Sequence, residues 1–329
     1  MMQIPLYPLR FAPIYQYRLW GGRRLANLLT APLPDDGPVG EAWMLSDRSD
    51  YQSLVANGPL TGQTVGQVMK QFREPLMGRL SSRFQHFPLL LKLLDAHEML
   101  SVQVHPGDAH PELIPAGDTA KTEAWVVIES RNGSHIYVGL KPGTTASALQ
   151  QSLTAGTITD HLVCTAPKPG DAIFIPAGMV HTLGNDVVVF EVQQNSDVTF
   201  RLYDWGRIDP NTRRPRSLQI DQAFASIEYD VSEGGLVTAC VESCKPVERE
   251  RLFDCNAFRL WRLLGQNPFP AGASNEPRVL VCIEGSGQIM HQGTPYAVGK
   301  GDVWILPAEV GVCTFEPKGE IILFEIAIP

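Results

Sequence analysis

The chain has 329 residues and carries 27 Lys and Arg against 35 Asp and Glu, a formal net charge of −8. Its densest basic stretch, Asn211-Thr212-Arg213-Arg214-Pro215-Arg216, is too short to make the basic face that nucleic-acid binding requires, so no nucleic-acid partner is expected. No apolar run approaches the length of a membrane span and the first residues lack the apolar region of a signal peptide, so a cytoplasmic protein is expected.

In chain order, residues 10–58 read as short strands and turns, for example 41–46 (EAWMLS) and 53–60 (SLVANGPL). Residues 62–87 predict a helical segment, because Val65, Val68, Met69, Phe72 and Leu76 recur at spacings of three and four. Strands dominate 88–204, interrupted by a helix near 144–153, with Thr144 or Thr145 placed to cap it. A short helix over 217–227 leads into a strand-rich stretch, 228–329. The six cysteines, at 164, 240, 244, 255, 282 and 313, form no CxxC pair and read as reduced thiols.

The strand pattern contains an echo. Residues 168–181 (KPGDAIFIPAGMVH) align with 299–312 (GKGDVWILPAEVGV), pairing Gly170-Asp171 with Gly301-Asp302 and Pro176-Ala177 with Pro307-Ala308. Upstream, 124–130 resembles 278–287, so two successive elements recur in the same order. That predicts a duplicated antiparallel unit. His181 in the first copy faces Val312 in the second, which suits a metal site in one unit and none in the other.

Gly170, Pro176, Gly178, His181 and Asn185 fit the second motif of the cupin barrels. The first copy resembles that family, which implies a small antiparallel barrel with an interior metal. Cupins draw further ligands from an earlier strand. Here the candidate is Ser101-Val102-Gln103-Val104-His105, whose period-two alternation puts Ser101, Gln103 and His105 on one face. Read as the barrel interior, that face offers Gln103 and His105 to an ion, with Val102 and Val104 packed outward. Glu123, opening the next strand, and His181 complete a set of two imidazoles, one carboxylate and one amide oxygen. Such a set suits Zn²⁺, one per chain, with a position left open. Asp108, His110 and Glu112 lie in a turn-rich stretch and read as a solvated loop. His135 follows the hairpin pair Asn132-Gly133 and reads as exposed. His86, His97, His161 and His291 have no partner pattern and read as structural.

The expected organisation is mainly β: two cupin-like antiparallel barrels of jelly-roll type with a small helical segment. The first spans 1–205 and holds the metal, 206–227 is a helical connection, and 228–329 is a barrel without a metal site.

The chain also resembles the type I mannose-6-phosphate isomerases in their short bacterial form. The segments that carry the resemblance are 20–22 (WGG), 40–46 (GEAWMLS), 88–96 (PLLLKLLDA), 100–106 (LSVQVHP), 121–125 (KTEAW), 177–184 (AGMVHTLG) and 191–207 (EVQQNSDVTFRLYDWGR). The resemblance implies the same four zinc ligands, Gln103, His105, Glu123 and His181. It also implies a sugar-phosphate pocket containing Arg201, Lys121, Lys92, Ser101 and Glu191. The chemistry implied is proton transfer between C2 and C1 through an enediol, with Arg201 on the phosphate and Glu191 or Lys121 as base. Two other readings stand beside it. An Fe(II) cupin dioxygenase would need only two histidines and a carboxylate. A non-catalytic cupin would bind the sugar phosphate without exchanging its C2 proton. The sequence is silent on oligomeric state.

Overall fold

The computed structural model describes residues 5–34, 37–230 and 234–329. Among the described residues, four larger antiparallel sheets are stacked face to face, and Asp47–Arg48 pairs with Tyr51–Gln52 in a separate two-stranded one. The outer N-terminal sheet orders Leu162–Thr165, Ile136–Leu140, His181–Thr182, Val102–Val104 and Phe200–Tyr203. The inner N-terminal sheet orders Gly235–Val237, Ala172–Ile175, Glu123–Ser130, Val187–Gln194, Leu89–Ala96, Ile14–Gly22 and Val39–Leu45. The inner C-terminal sheet orders Leu9–Phe11, Val303–Leu306, Arg278–Glu284, Ile321–Ala327, Arg259–Gly265, Glu248–Asp254 and Cys240–Ser243. The outer C-terminal sheet orders Phe269–Ala271, Cys313–Pro317, Ser286–His291 and Thr294–Gly299.

The inner strands are buried on both faces, which is why they read as nearly unbroken apolar runs. In Leu89–Ala96, Leu89, Leu91 and Leu93 enter a core shared with Leu260, Val279, Val281, Phe324 and Ile326 of the C-terminal half. Leu94 and Ala96 turn to the other side and line the interior of the N-terminal sandwich with Trp20, Trp125 and Val189. Lys92 shares their parity and is the one charged residue on that side of the strand.

The chain is mainly β, but the expected barrels do not close. Each half is an open sandwich of two sheets. The structure deals with the open edges by exchange. Leu9–Phe11 pairs with Val303–Ile305 at an edge of the C-terminal sheet, and Gly235–Val237 pairs with Ala172–Phe174 at an edge of the N-terminal one. A strand borrowed from the other half thus covers one edge of each inner sheet.

The duplicated turn is the same in both halves. Gly170 donates to Val127 O and Gly301 to Cys282 O, each at 2.8 Å, and Asp171 and Asp302 each accept a backbone N–H at 2.8 Å from Lys168 and Gly299. Both glycines have left-handed φ, 92° and 81°. The copies then diverge: His181 is fully buried, whereas Val312 is 54% exposed.

The predicted helices form with shifted ends. Helix α1 is Val65–Met77, shorter than the expected 62–87. Thr64 and Gln67 form a reciprocal capping box at its start, and Gly78, at φ 54°, ends it. Helix α2 is Ala146–Ala155, capped by Thr145, and α3 is Ile220–Ser226. The strand expected at 53–60 is not one. Leu54 and Val55 make isolated bridges, and Gly58–Leu60 is a 3₁₀ turn that Pro59 favours.

Candidate active site

The site lies between the two N-terminal sheets. On the outer sheet, Gln103 pairs directly with His181 on one neighbouring strand and with Arg201 on the other, so the three side chains form a row across one face. That face looks inward. Val102 and Val104 point the other way, into a cluster with Leu149 of α2, Ala223 of α3 and Leu202. The inner sheet presents a second row, Trp43, Lys92, Glu191 and Trp125, again built from directly paired positions. Glu123 stands two residues from Trp125 and pairs with Gln193.

His105, Glu123 and His181 converge, with all their ligand atoms within 4.8 Å of one another. His105 Nε2 is 3.3 Å from Glu123 Oε2, and His181 Nε2 is 3.3 Å from Glu123 Oε1. The backbone sets the tautomers. His105 Nδ1–H donates to Val198 O at 2.8 Å and His181 Nδ1–H to Met179 O at 2.9 Å. Each Nε2 therefore turns a lone pair toward the carboxylate.

Protonation does not relieve this meeting of acceptors. Burial pushes the His105 imidazole down to about 3, aided by the Lys121 charge and opposed by Glu123. Burial also lowers His181. Burial works to raise Glu123, but Lys121 and His105 outweigh it and hold the carboxyl well below the usual range. His105 Nε2 and both Glu123 oxygens are buried without a hydrogen-bond partner. Such a group costs about 1–3 kcal/mol when nothing compensates it. A cation among these atoms is the compensation their chemistry calls for, so the donor set fits a divalent metal. Gln103 borders it, with amide Nε2 3.2 Å from His181 Nε2, while the amide oxygen expected as a ligand accepts instead from Ser101 Oγ at 3.3 Å.

Gln103 and Lys121, which touch this set, are also walls of a cavity of about 360 Å³ lined in part by Ser101, Lys92, Glu191 and Arg201. All the residues expected in a sugar-phosphate pocket thus line one space. Lys92 Nζ is 3.0 Å from Glu191 Oε1 and donates to Gln193 Oε1 at 2.7 Å. Trp125 Nε1 donates to Glu191 Oε2 at 2.9 Å, and Lys121 Nζ is 3.0 Å from Glu123 Oε2. Burial raises Glu191, with Glu123 adding to it and Lys92 opposing. Burial works to lower Lys92, but Glu191 and Glu41 outweigh it and raise it. Arg201 has no carboxylate partner among the described residues, and its Nε is buried without a hydrogen bond.

Asn195 has the parity of Glu191 and Gln193 but not their location. It lies past the end of its strand and donates to Asp47 O, outside the cavity. His110 sits in the exposed loop, 3.3 Å from Glu112. Five charged lining residues lie outside the set expected from sequence: Arg18, Glu41, Asp197, Asp209 and Asp204's partner Arg216. Arg18 holds Glu41 through two bonds of 3.0 Å, and Trp43 Nε1 adds a third at 2.7 Å. Glu41 had a signal: it is the one ionisable residue in the otherwise apolar strand Val39–Leu45. Arg216 had none, because its partner is fixed only by the fold.

Comparison with known proteins gives a consistent result. Residues 9–133 match the model of the phosphomannose isomerase type I catalytic domain, and 255–326 match the mannose-6-phosphate isomerase cupin domain. The chain is 33% identical over 320 residues to a mannose-6-phosphate isomerase of Bacillus subtilis, covering 96% of this chain and 98% of that protein. It is 34% identical over 309 residues to one from Streptococcus mutans, covering 93% and 94%. The crystal structure of the Bacillus subtilis mannose 6-phosphate isomerase superposes with a TM-score of 0.89 at 29% identity, covering 98% of this chain and 99% of that one. A phosphomannose isomerase variant from Salmonella typhimurium shares the fold at a TM-score of 0.76 and 15% identity, covering 97% and 99%.

Proposed function

Because the chain belongs to the type I mannose-6-phosphate isomerases, we propose that it interconverts mannose 6-phosphate and fructose 6-phosphate with one zinc ion held by Gln103, His105, Glu123 and His181. The observation that supports the metal most directly is the buried meeting of His105, His181 and Glu123, where His105 Nε2 and both carboxylate oxygens lack a hydrogen-bond partner. Bound zinc supplies a redox-inert Lewis acid that steadies negative charge on a sugar oxygen.

The chain's own residues do the rest. Moving a proton between C2 and C1 through an enediol needs a base beside the carbon acid. Glu191 and Lys121 are the two side chains of the cavity suited to it. Trp125 and Lys92 hold Glu191, and Glu123 holds Lys121, so each is fixed before substrate arrives. Arg201 takes the phosphate, because its guanidinium fork lacks a carboxylate to compete. Ser101 and Lys92 line the same cavity and would meet the sugar hydroxyls.

A coupled assay on mannose 6-phosphate in deuterated water tests this. The wild-type chain should form fructose 6-phosphate and exchange the C2 hydrogen. Glu191→Gln and Lys121→Met identify the base: the one that carries the proton loses about a hundredfold or more in kcat. Binding of the sugar phosphate with no turnover and no exchange would leave a binding protein, and turnover that consumes oxygen would indicate a dioxygenase.

A further inference from the structure

Three cations of the cavity are each held by a carboxylate, and Asp197 and Asp209 add two further acidic groups to its lining. Arg18 is held by Glu41, Lys92 by Glu191 and Lys121 by Glu123. A phosphate monoester brings close to two negative charges at neutral pH. Arg201 alone supplies one positive charge. A second lining guanidinium that its own carboxylate does not fully cancel would complete the match.

One grouping meets that condition. Asp204, 6% exposed, is gripped by two guanidinium groups at once. Arg216 Nε donates to Asp204 Oδ2 at 2.8 Å and its Nη2 reaches Oδ1, while Arg207 Nη2 also binds Oδ1. Two guanidinium groups share one carboxylate, so the trio keeps one net positive charge. Arg207 is turned away, with Nη1 on Met99 O. Arg216 faces the site. It lines the cavity together with Arg201, and both line the groove that adjoins it, beside Thr212 and Ser217. Its Nη1 makes no hydrogen bond among the described residues. Nearby, Asp209 spends Oδ1 on the backbone N–H groups of Asn211 and Thr212, which shapes the loop that carries Arg216.

We propose that Arg216 is the second cation of the phosphate subsite, that it selects phosphorylated over unphosphorylated sugars, and that Asp204 is the positioning residue that aims it. This rests on the isomerase reading and adds a specificity determinant to it. Asp204 fixes the fork from one side and leaves Nη1 toward the cavity. Arg201 and Arg216 then meet the phosphate from two strands of chain, Phe200–Tyr203 and the loop after it. Burial lowers the Arg201 pKa and the Arg216 charge lowers it further, the mark of two like charges sharing a space that an anion would stabilise.

The test uses the full chain with its metal and compares wild type with Arg216→Gln, Arg216→Lys and Asp204→Asn. It measures KM and kcat for mannose 6-phosphate, kcat/KM for mannose, and the Kd of inorganic phosphate. A charge-assisted hydrogen bond is worth about tenfold or more in affinity. Arg216→Gln should therefore raise KM and the phosphate Kd by about tenfold or more, with kcat falling less than KM rises. Its preference for mannose 6-phosphate over mannose should fall by a similar factor. Arg216→Lys, which keeps the charge and loses the fork, should recover part of the binding, and Asp204→Asn should raise KM less than Arg216→Gln does. Wild-type KM and phosphate Kd in a folded Arg216→Gln chain would overturn the proposal. If Gln at 216 unfolds the chain, Arg216→Lys decides: KM and phosphate Kd equal to wild type overturn it. If the wild-type chain turns over no mannose 6-phosphate, the isomerase reading fails, and the phosphate titration still decides the role of Arg216.

Discussion

His105 and His181 owe their chemistry to two backbone carbonyls, Val198 O and Met179 O, which leave both Nε2 lone pairs facing Glu123. Arg201 has no carboxylate partner among the described residues, and its Nε is buried without a hydrogen bond. Arg201→Gln should raise KM for mannose 6-phosphate by about tenfold or more and shift the melting temperature little, since no ion pair is lost. Kinetics paired with a thermal melt check this, and unchanged KM and kcat would remove Arg201 from the pocket. Glu41 gives a prediction in pH. Burial works to raise its pKa, but Arg18 and Lys92 outweigh burial and bring it to about 2. A depressed carboxyl adds stability that is complete above the ordinary carboxylate range, and that stability is lost as pH falls toward 2. Glu41→Gln should therefore melt lower than wild type at pH 7, with a gap that narrows as pH drops from about 4.5 toward 2. Melts across that range check it, and a gap independent of pH would contradict it.

At the scale of elements, much of the site could be read from sequence because its signals are local. The alternation over 101–105 gave the inward face, and the glycine-proline spacing around 170–185 gave the strand that carries His181. Local patterns also placed α1 and α2, but not their ends. Gly78 stops α1, and the reason is not local: a side chain there would press on Asn275 O at 2.3 Å and Ala308 Cβ at 2.7 Å, across the joint between the halves. Gly78→Ala should accordingly destabilise the fold by about 2 kcal/mol or more, from positive φ and the clash together. Denaturant unfolding measures it, and a loss under about 0.5 kcal/mol would contradict the packing described. The opposite outcome is expected at Val312, which is exposed where its counterpart His181 is buried. Val312→Ser should leave stability within about 0.5 kcal/mol and turnover unchanged. What the sequence left hidden is long-range pairing. Nothing local to Arg18 or Arg216 marks Glu41 or Asp204 as its partner, because those contacts exist only after the sheets stack.

For the whole molecule, the back-to-back inner sheets and the two exchanged edge strands tie the halves into one core. Unfolding should therefore be a single cooperative transition, and two well-separated thermal transitions would show that the halves melt independently. The interiors of the two halves differ. The N-terminal interior keeps a polar row, whereas the C-terminal interior is filled by Trp261, Leu280, Phe315 and Leu323. The central claim is that the buried His105–Glu123–His181 set holds the ion on which isomerisation depends. The most direct measurement is metal content and mannose 6-phosphate turnover, determined together on wild-type chain and on His181→Ala. The wild-type chain should carry about one zinc, and the variant should lose both zinc and turnover. Full turnover by a metal-free chain would contradict it.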